Sequence, residues 1–205
     1  MAPEHAIPRA LVLASTSRYR AELLGRLCLP FTTADPAIDE TPGADEGPAD
    51  LVARLARTKA RAVAAAFPDA LIIGSDQSAS HRGRALGKAG DAARARVQLR
   101  ELSGGTVTFH TGLCLLDTAT GTEWLDTIPC TVTFRTLTDA EIAAYVHYDQ
   151  PFDTAGSFKA EGLGISLFER IDTHDPTALI GLPLITLAAW LRDAGIPVPP
   201  PIPAP

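Results

Sequence analysis

Lys59 is the residue whose position points most directly to chemistry. It lies in a predicted helix starting at Pro48, in which the apolar residues from Val52 to Ala66 recur every three or four positions and form one stripe. Lys59 falls inside that stripe, whereas Arg57 falls outside it. Two interpretations remain open: the ammonium reaches water past the edge of the core, or it faces an anion in a cleft.

Asp76 is the second candidate, because it follows a short apolar run. Leu71 to Gly74 is predicted to be a buried strand, and Asp76 then lies just past its carboxyl end. Open α/β sheets gather their ligands at that edge. A carboxylate there could bind a hard metal ion or activate a water molecule. It could equally cap a turn, and the residues alone leave both possibilities open.

Three further charged residues are weaker candidates when taken singly. Lys88 ends the segment GRALGK, which is not a phosphate-binding P-loop because the glycine spacing is one residue short and Ala89 replaces the required Ser or Thr. Glu40 and Glu161 lie in polar segments, where acidic side chains are usually solvated. A solvated turn is the simpler interpretation of all three.

Both strands and helices are predicted to position these residues. Strands are predicted at 10–14, 31–34, 71–74 and 165–171, with a long hairpin formed by 106–116 and 123–135. Helices are predicted at 18–28, 48–67, 91–103, 138–147 and 183–195. Segments 35–48, 83–90 and 150–164 are predicted loops, and the proline-rich residues 196–205 are predicted to be extended and outside the core.

This order predicts a mixed α/β fold, with parallel units early and an antiparallel hairpin in the middle. Ser15 opens a Ser-Thr-Ser run between the first strand and the first helix. Backbone N–H groups at such a helix start can hold an anion.

Composition and charge restrict the classes of function. The 205 residues are 46% hydrophobic and carry a net charge of −6, which argues against binding nucleic acid. No apolar run approaches a membrane span. The first ten residues lack the pattern of a signal peptide, and the three cysteines are widely spaced, as expected for reduced thiols in a cytoplasmic protein. The five histidines are scattered as well, which disfavours a zinc hydrolase.

Several segments, taken in order, resemble the Maf family of nucleoside triphosphate pyrophosphatases. The similar segments are LVLASTSRYRAELL (11–24), DETP (39–42), LARTKARAVA (55–64), IIGSDQ (72–77), LGK (86–88), LRELSGGTVTFHTGLCL (99–115), AGSFKAEGLGISLFERI (155–171) and LIGLPLITL (179–187). The resemblance implies a single domain over residues 9–195, with flexible termini at 1–8 and 196–205. It implies two lobes on an elongated mixed sheet with flanking helices and a cleft between them, in a homodimer.

The resemblance also implies roles for individual residues. Asp76 matches the proton acceptor that activates water. The positions that match the lining of the phosphate and metal site are Ser15, Arg20, Glu40, Lys59 and Lys88. Glu40 and Asp76 would hold a divalent cation, Mg²⁺ or Mn²⁺.

The segment SFKAEGLG around Glu161 resembles the branch of the family that hydrolyses 7-methyl-GTP, whereas the dTTP/UTP branch typically has YGIQG there. A glutamate can accept two hydrogen bonds from the guanine edge, and an aromatic face such as that of Tyr19 favours a cationic 7-methylated purine. Tyr19, Gln77 and Glu161 are therefore the candidate specificity residues. Two alternatives remain: a dTTP/UTP pyrophosphatase, and a nucleotide-binding regulator of cell division without turnover.

Overall fold

The structure, a computed structural model, describes residues 9–202. The predicted flexible segment 1–8 lies outside that range, as do the last three residues of the predicted flexible tail. The predicted limits of the domain, residues 9–195, stay a prediction.

Within residues 9–202, one mixed sheet of seven strands organises the chain. The strands are β1 (Ala10–Ala14), β2 (Thr32–Ala34), β3 (Ala70–His81), β4 (Arg84–Leu86), β5 (Thr106–Asp117), β6 (Glu123–Phe134) and β7 (Phe168–Asp172). Their order is β2-β1-β3-β5-β6-β7, with β4 pairing to the far end of β3. β1 pairs in parallel with β2 and β3, and all other pairings are antiparallel.

In the described part of the chain, five α-helices cover this sheet: α1 (Arg18–Gly25), α2 (Pro48–Val63), α3 (Ala92–Leu102), α4 (Asp139–Asp149) and α5 (Leu184–Asp193). The residues that cap the N-termini of three helices are of the types that the sequence predicts. Ser17 caps α1, Asp91 caps α3, and Thr138 forms the predicted capping box with Glu141 at the start of α4. Three short 3₁₀ helices, Ala64–Ala66, Leu163–Leu167 and Pro176–Ile180, complete the elements.

Two cores form at opposite ends of the sheet because β3, β5 and β6 are each twelve residues long. At one end, alternate strand residues face α1 and α5 on one side and α2 on the other. At the other end, the core includes residues of α3 and α4, of the second halves of β3 and β6, and of the first half of β5. This arrangement confirms the predicted mixed α/β class with an elongated sheet and flanking helices.

Four sequence predictions need correction. β3 continues through Asp76 to His81, because its backbone pairs with β5 as far as Ser80, so Asp76 lies in mid-strand rather than past a strand end. The predicted loop at 83–90 contains β4. The start of the predicted strand at 165–171 is the 3₁₀ helix Leu163–Leu167. Ile196, in the predicted solvated tail, is 1% exposed and packs in the core beside α5.

Two glycines bring α2 unusually close to the sheet. A Cβ added at Gly74 would overlap the carbonyl oxygen of Ala56, and one added at Gly112 would overlap that of Val52. Gly112 lies directly opposite Asp76 in the register of β3 and β5. The close approach therefore places the middle of α2 above Asp76.

No helix within residues 9–202 combines the length and the apolar character that crossing a membrane would require.

Candidate active site

A cleft of about 740 Å³ lies where β3 extends past its pairing with β1, and residues from both ends of the fold line it. All nine of the residues selected from the sequence line it: Ser15, Tyr19, Arg20, Glu40, Lys59, Asp76, Gln77, Lys88 and Glu161. They come from the β1–α1 connection, α1, the loop after β2, α2, β3, the loop after β4 and the segment after α4. The structure brings the whole predicted set to one surface, while the role of each residue stays a prediction.

The centre of the cleft is an ammonium group between two carboxylates. Lys59 Nζ lies 2.6 Å from Glu40 Oε1 and 2.6 Å from Asp76 Oδ1. Lys59 is only 5% exposed, so it does not reach past the core into bulk water. Of the two interpretations of its place in the apolar stripe of α2, the structure agrees with the second: Lys59 faces anionic groups within a cleft. Asp76 is largely buried on the strand, whereas Glu40 is exposed on its loop.

Arg20 supplies a second cation to the cleft. Its Nε donates to the carbonyl of Gly181 at 2.9 Å, and Nη1 lies 3.5 Å from Ser15 Oγ. Burial lowers the pKa of the Arg20 guanidinium, whereas the charges of Asp76 and Glu40 raise it. An arginine remains charged at neutral pH despite such a shift. Ser15 Oγ in turn accepts from the N–H of Ser17, the residue that caps α1.

The cleft carries charges of both signs, with four cations and five carboxylates in its lining. Glu40 and Asp76 are offset by Lys59 and Arg20, and Lys88 adds a further exposed cation to the wall. Lys88 is held by an antiparallel bridge between its backbone and that of Ala155. A protein with a net charge of −6 thus places four of its cations at one surface, where they would stabilise phosphate groups.

Glu40 and Asp76 would bind a divalent cation only together with oxygen atoms supplied by a ligand. The described part of the chain has no group of three or more His, Cys, Asp and Glu side chains able to hold a metal. Mg²⁺ is commonly bound by one or two carboxylates together with substrate phosphates. Glu40 and Asp76, both in contact with Lys59 Nζ, are the two oxygen donors of that kind of site.

Gln77 lies beside Asp76 but projects from the opposite face of β3. Its Nε2 lies 2.7 Å from the Ala178 carbonyl, 3.2 Å from that of Leu179 and 3.1 Å from Thr111 Oγ1. These three acceptors fix the orientation of the amide, because a flipped Oε1 would face two carbonyl oxygens. Because these acceptors occupy the nitrogen, the amide oxygen is the group that Gln77, a residue of the cleft lining, has left to accept a hydrogen bond from a ligand.

Two residues at the far wall were not selected from the sequence. The hydroxyl of Tyr19 donates to Asp153 Oδ2 at 3.4 Å, across 134 positions of the chain. The guanidinium of Arg18 lies 4.8 Å from the Tyr19 ring centroid and donates to its hydroxyl. The ring face expected to attract a cationic base thus already contacts a cation. Asp153 lies in a segment without periodicity, so no pattern marked it.

Lys159 shapes the wall that carries Glu161. Its Nζ donates to the carbonyl of Asp149 at 3.0 Å, and its backbone N–H donates to the hydroxyl of Tyr145 at 3.0 Å. These bonds tie the segment after α4 back to that helix. Glu161 itself is exposed on the cleft wall, where its carboxylate is available to a ligand.

Comparison with known proteins adds independent evidence. A family model described as "Maf-like protein" matches residues 10–194. Several relatives bear the name "7-methyl-GTP pyrophosphatase". That of Ralstonia nicotianae is 54% identical over 188 residues, covering 92% of this chain and 97% of the relative. Those of Cupriavidus metallidurans and Chromohalobacter salexigens are each 54% identical, over 92% and 91% of this chain and 94% and 96% of the relatives.

Proposed function

Because the chain belongs to the Maf family, we propose that it hydrolyses 7-methyl-GTP to 7-methyl-GMP and pyrophosphate. Family membership confirms the resemblance found in the sequence. The observation that carries the chemistry is the Lys59 ammonium held between Glu40 and Asp76 in a cleft with further cations. The names of the relatives support the choice of base.

The proposed reaction is a displacement at the α-phosphorus. Asp76 orients a water molecule and takes its proton while the water oxygen bonds to that phosphorus. The bond from the α-phosphorus to the oxygen bridging to the β-phosphate breaks, and this oxygen leaves with pyrophosphate. Lys59 and Lys88 stabilise the negative charge that grows on the phosphate oxygens, and Arg20 binds the phosphates of the incoming substrate.

A divalent cation, Mg²⁺ or Mn²⁺, is part of the proposal, with Glu40 and Asp76 as its protein ligands. When bound, it would neutralise phosphate charge and stabilise the leaving oxygen. In the free protein, Lys59 occupies the space between these carboxylates and balances their charge. The triphosphate itself supplies the additional oxygen donors that such a cation needs.

The purine base is proposed to lie between Tyr19, Gln77 and Glu161. Glu161 would accept hydrogen bonds from the N–H groups of the guanine edge, and the fixed oxygen of Gln77 can accept another. The positive charge of a 7-methylated purine would be favoured by the carboxylates of Asp153 and Glu161, and by the ring of Tyr19 only on the face that Arg18 does not cover. A neutral pyrimidine gains less from each of these groups.

The first test is a substrate panel scored for pyrophosphate release in the presence of Mg²⁺ or Mn²⁺. We expect kcat/KM for 7-methyl-GTP to exceed that for dTTP and UTP by about tenfold or more, since thymine and uracil present one N–H between two carbonyls where guanine presents two adjacent donors. Removal of the metal with a chelator should abolish turnover. A preference for dTTP or UTP would support the pyrimidine alternative, and tight binding without turnover would support the regulator.

The Glu161→Gln variant tests base recognition directly. Its amide group would set a donor against the donors of the guanine edge, at a cost of about 1–3 kcal/mol. We expect kcat/KM for 7-methyl-GTP to fall by about tenfold to a hundredfold, with a smaller loss, or a gain, on dTTP and UTP. Glu169→Gln, on the exposed surface of β7, is the matched control. An equal loss on every nucleotide would mean that Glu161 serves the phosphates, the metal or the fold.

We also propose that the protein is a cytoplasmic homodimer. The dimer follows the family resemblance, and the exposed apolar residues Leu163, Ile165 and Ile185 are suitable for a contact between copies. The cytoplasmic location is supported by the three free cysteines. Burial raises the pKa of Cys114 to about 12 and that of Cys130 to about 11, so both thiols stay protonated.

A further inference from the structure

Asp175 is a buried carboxylate that the proposed reaction does not use. It is 0% exposed. Its Oδ1 accepts from the N–H of Thr177 at 3.3 Å and from the Thr177 hydroxyl at 2.7 Å. Its Oδ2 accepts from the N–H of Ile185 at 2.8 Å and from that of Thr186 at 3.1 Å, in the first turn of α5. One carboxylate thus joins the start of the 3₁₀ helix Pro176–Ile180 to the start of α5.

The chain between these two points contacts the cleft. We call residues 176–181 the strap. The carbonyl of Gly181 accepts from Arg20 Nε and from Ser75 Oγ, both at 2.9 Å. The carbonyls of Ala178 and Leu179 hold the Gln77 amide nitrogen. Two side chains that line the cleft, Arg20 and Gln77, are therefore oriented by backbone oxygens of the strap.

We propose that Asp175 is a positioning residue for substrate binding, which acts through the strap on Arg20 and Gln77. The inference rests on the proposed function for the nature of the substrate. Asp175 anchors the strap at its start, through Thr177, and just beyond its end, through the N–H groups of α5. Loss of either anchor shifts the carbonyls that orient Arg20 and Gln77, and small misplacements of binding groups weaken a bound state strongly.

The geometry separates this role from a general effect on catalysis. Lys59 and Asp76, the groups nearest the proposed chemistry, are carried by α2 and β3 and contact each other directly. Neither makes a hydrogen bond to residues 175–181 within the described range. A loosened strap should therefore raise KM and lower nucleotide affinity while leaving kcat nearly unchanged.

The test is the Asp175→Asn variant, whose amide group would face N–H donors at one of the two anchors. We expect both KM for 7-methyl-GTP and the dissociation constant of its α,β-methylene analogue to rise about tenfold. The value of kcat should stay within about threefold of wild type. On a Gln77→Ala background the same substitution should raise KM by a smaller factor, because part of its effect passes through Gln77.

Asp117→Asn is the matched control. Asp117 is also a buried carboxylate, but it pairs with Arg9 and caps the turn after β5, away from the cleft. It should lower the melting temperature without changing KM or kcat. If Asp175→Asn behaves in the same way, Asp175 is only a helix cap and the proposal is wrong. A loss confined to kcat would also overturn it.

Should Asp175→Asn fail to fold, Thr177→Val provides the same test more gently. It removes the hydroxyl that donates to Asp175 and accepts from the N–H of Leu184 at 2.7 Å. We expect a smaller rise in KM, again with kcat preserved, and an unchanged KM would contradict the proposal.

Hydrogen exchange separates failure of this inference from failure of the proposed function. The amides of residues 178–181 should exchange faster in Asp175→Asn, or in Thr177→Val, than in Asp117→Asn, a comparison that needs no substrate. Equal exchange in the strap would overturn the role of Asp175 even in an active enzyme. Absence of pyrophosphate release by the wild-type protein would instead overturn the function.

Discussion

The Asp76→Asn variant is expected to hydrolyse 7-methyl-GTP about 10²-fold or more slowly than the wild-type protein. Removal of a general base costs on the order of 10²–10⁴ in rate, and an amide cannot take the proton of the attacking water. Because asparagine has nearly the shape of aspartate, and Lys59 keeps its contact with Glu40, nucleotide affinity should stay within several-fold. Single-turnover kinetics together with equilibrium binding of the analogue measure the two effects separately.

Asp126→Asn is the control for this substitution, because Asp126 is an exposed carboxylate on β6 that does not line the cleft. It should leave both parameters at their wild-type values. If Asp76→Asn retains most of its activity, another group activates the water, and Asp76 has only the role of an ion-pair partner for Lys59.

Lys59→Met is expected to lower kcat for 7-methyl-GTP by about 10²–10³-fold, the usual cost of removing one group that stabilises transition-state charge. Methionine keeps much of the apolar stem that packs in the α2 stripe, so the substitution removes mainly the ammonium. Its loss also leaves Glu40 and Asp76 without the cation that each contacts at 2.6 Å. Steady-state kinetics and a melting curve would measure both consequences.

Arg57→Met is the matched control, since Arg57 lies on the same helix but pairs with Glu123 outside the cleft. It should leave kcat unchanged. Equal losses in Lys59→Met and Arg57→Met would show that the cation matters to the helix rather than to the reaction.

The sequence predicted the place of Lys59 well, because helical periodicity states which side chains share a face. Apolar residues on both sides of Lys59 form the buried face of α2, so the pattern placed the lysine on that face but left open whether its ammonium reached water or faced an anion. The position of its partner, Asp76, was harder to predict from the sequence. β3 crosses the cleft with the polar segment SDQS, and the apolar pattern that signals a buried strand ends at Gly74.

That strand continues because β5 supplies the paired backbone through Ser80, a long-range interaction that leaves no local pattern. The same limit applies to the strap. Gln77 meets Ala178 and Leu179 across about a hundred residues of chain, and Tyr19 meets Asp153 across 134. Local propensity identifies elements, but such pairs depend on the order of strands and on which helix covers which end.

For Ile196 the sequence prediction was wrong about burial. Its proline-rich surroundings predicted a solvated tail, yet its N–H donates to the carbonyl of Leu191 and its side chain packs beside α5. One apolar residue directly after a helix is enough to close the end of a core, and composition averaged over ten residues conceals it.

The proposed cleavage between the α- and β-phosphates is tested most directly by identifying the first products formed from 7-methyl-GTP. Phosphorus NMR during the first turnovers distinguishes pyrophosphate from orthophosphate without a coupled assay. The arrangement of Lys59, Asp76 and Glu40 leads us to expect equal amounts of 7-methyl-GMP and pyrophosphate, with no diphosphate intermediate. Appearance of orthophosphate together with 7-methyl-GDP would contradict this account.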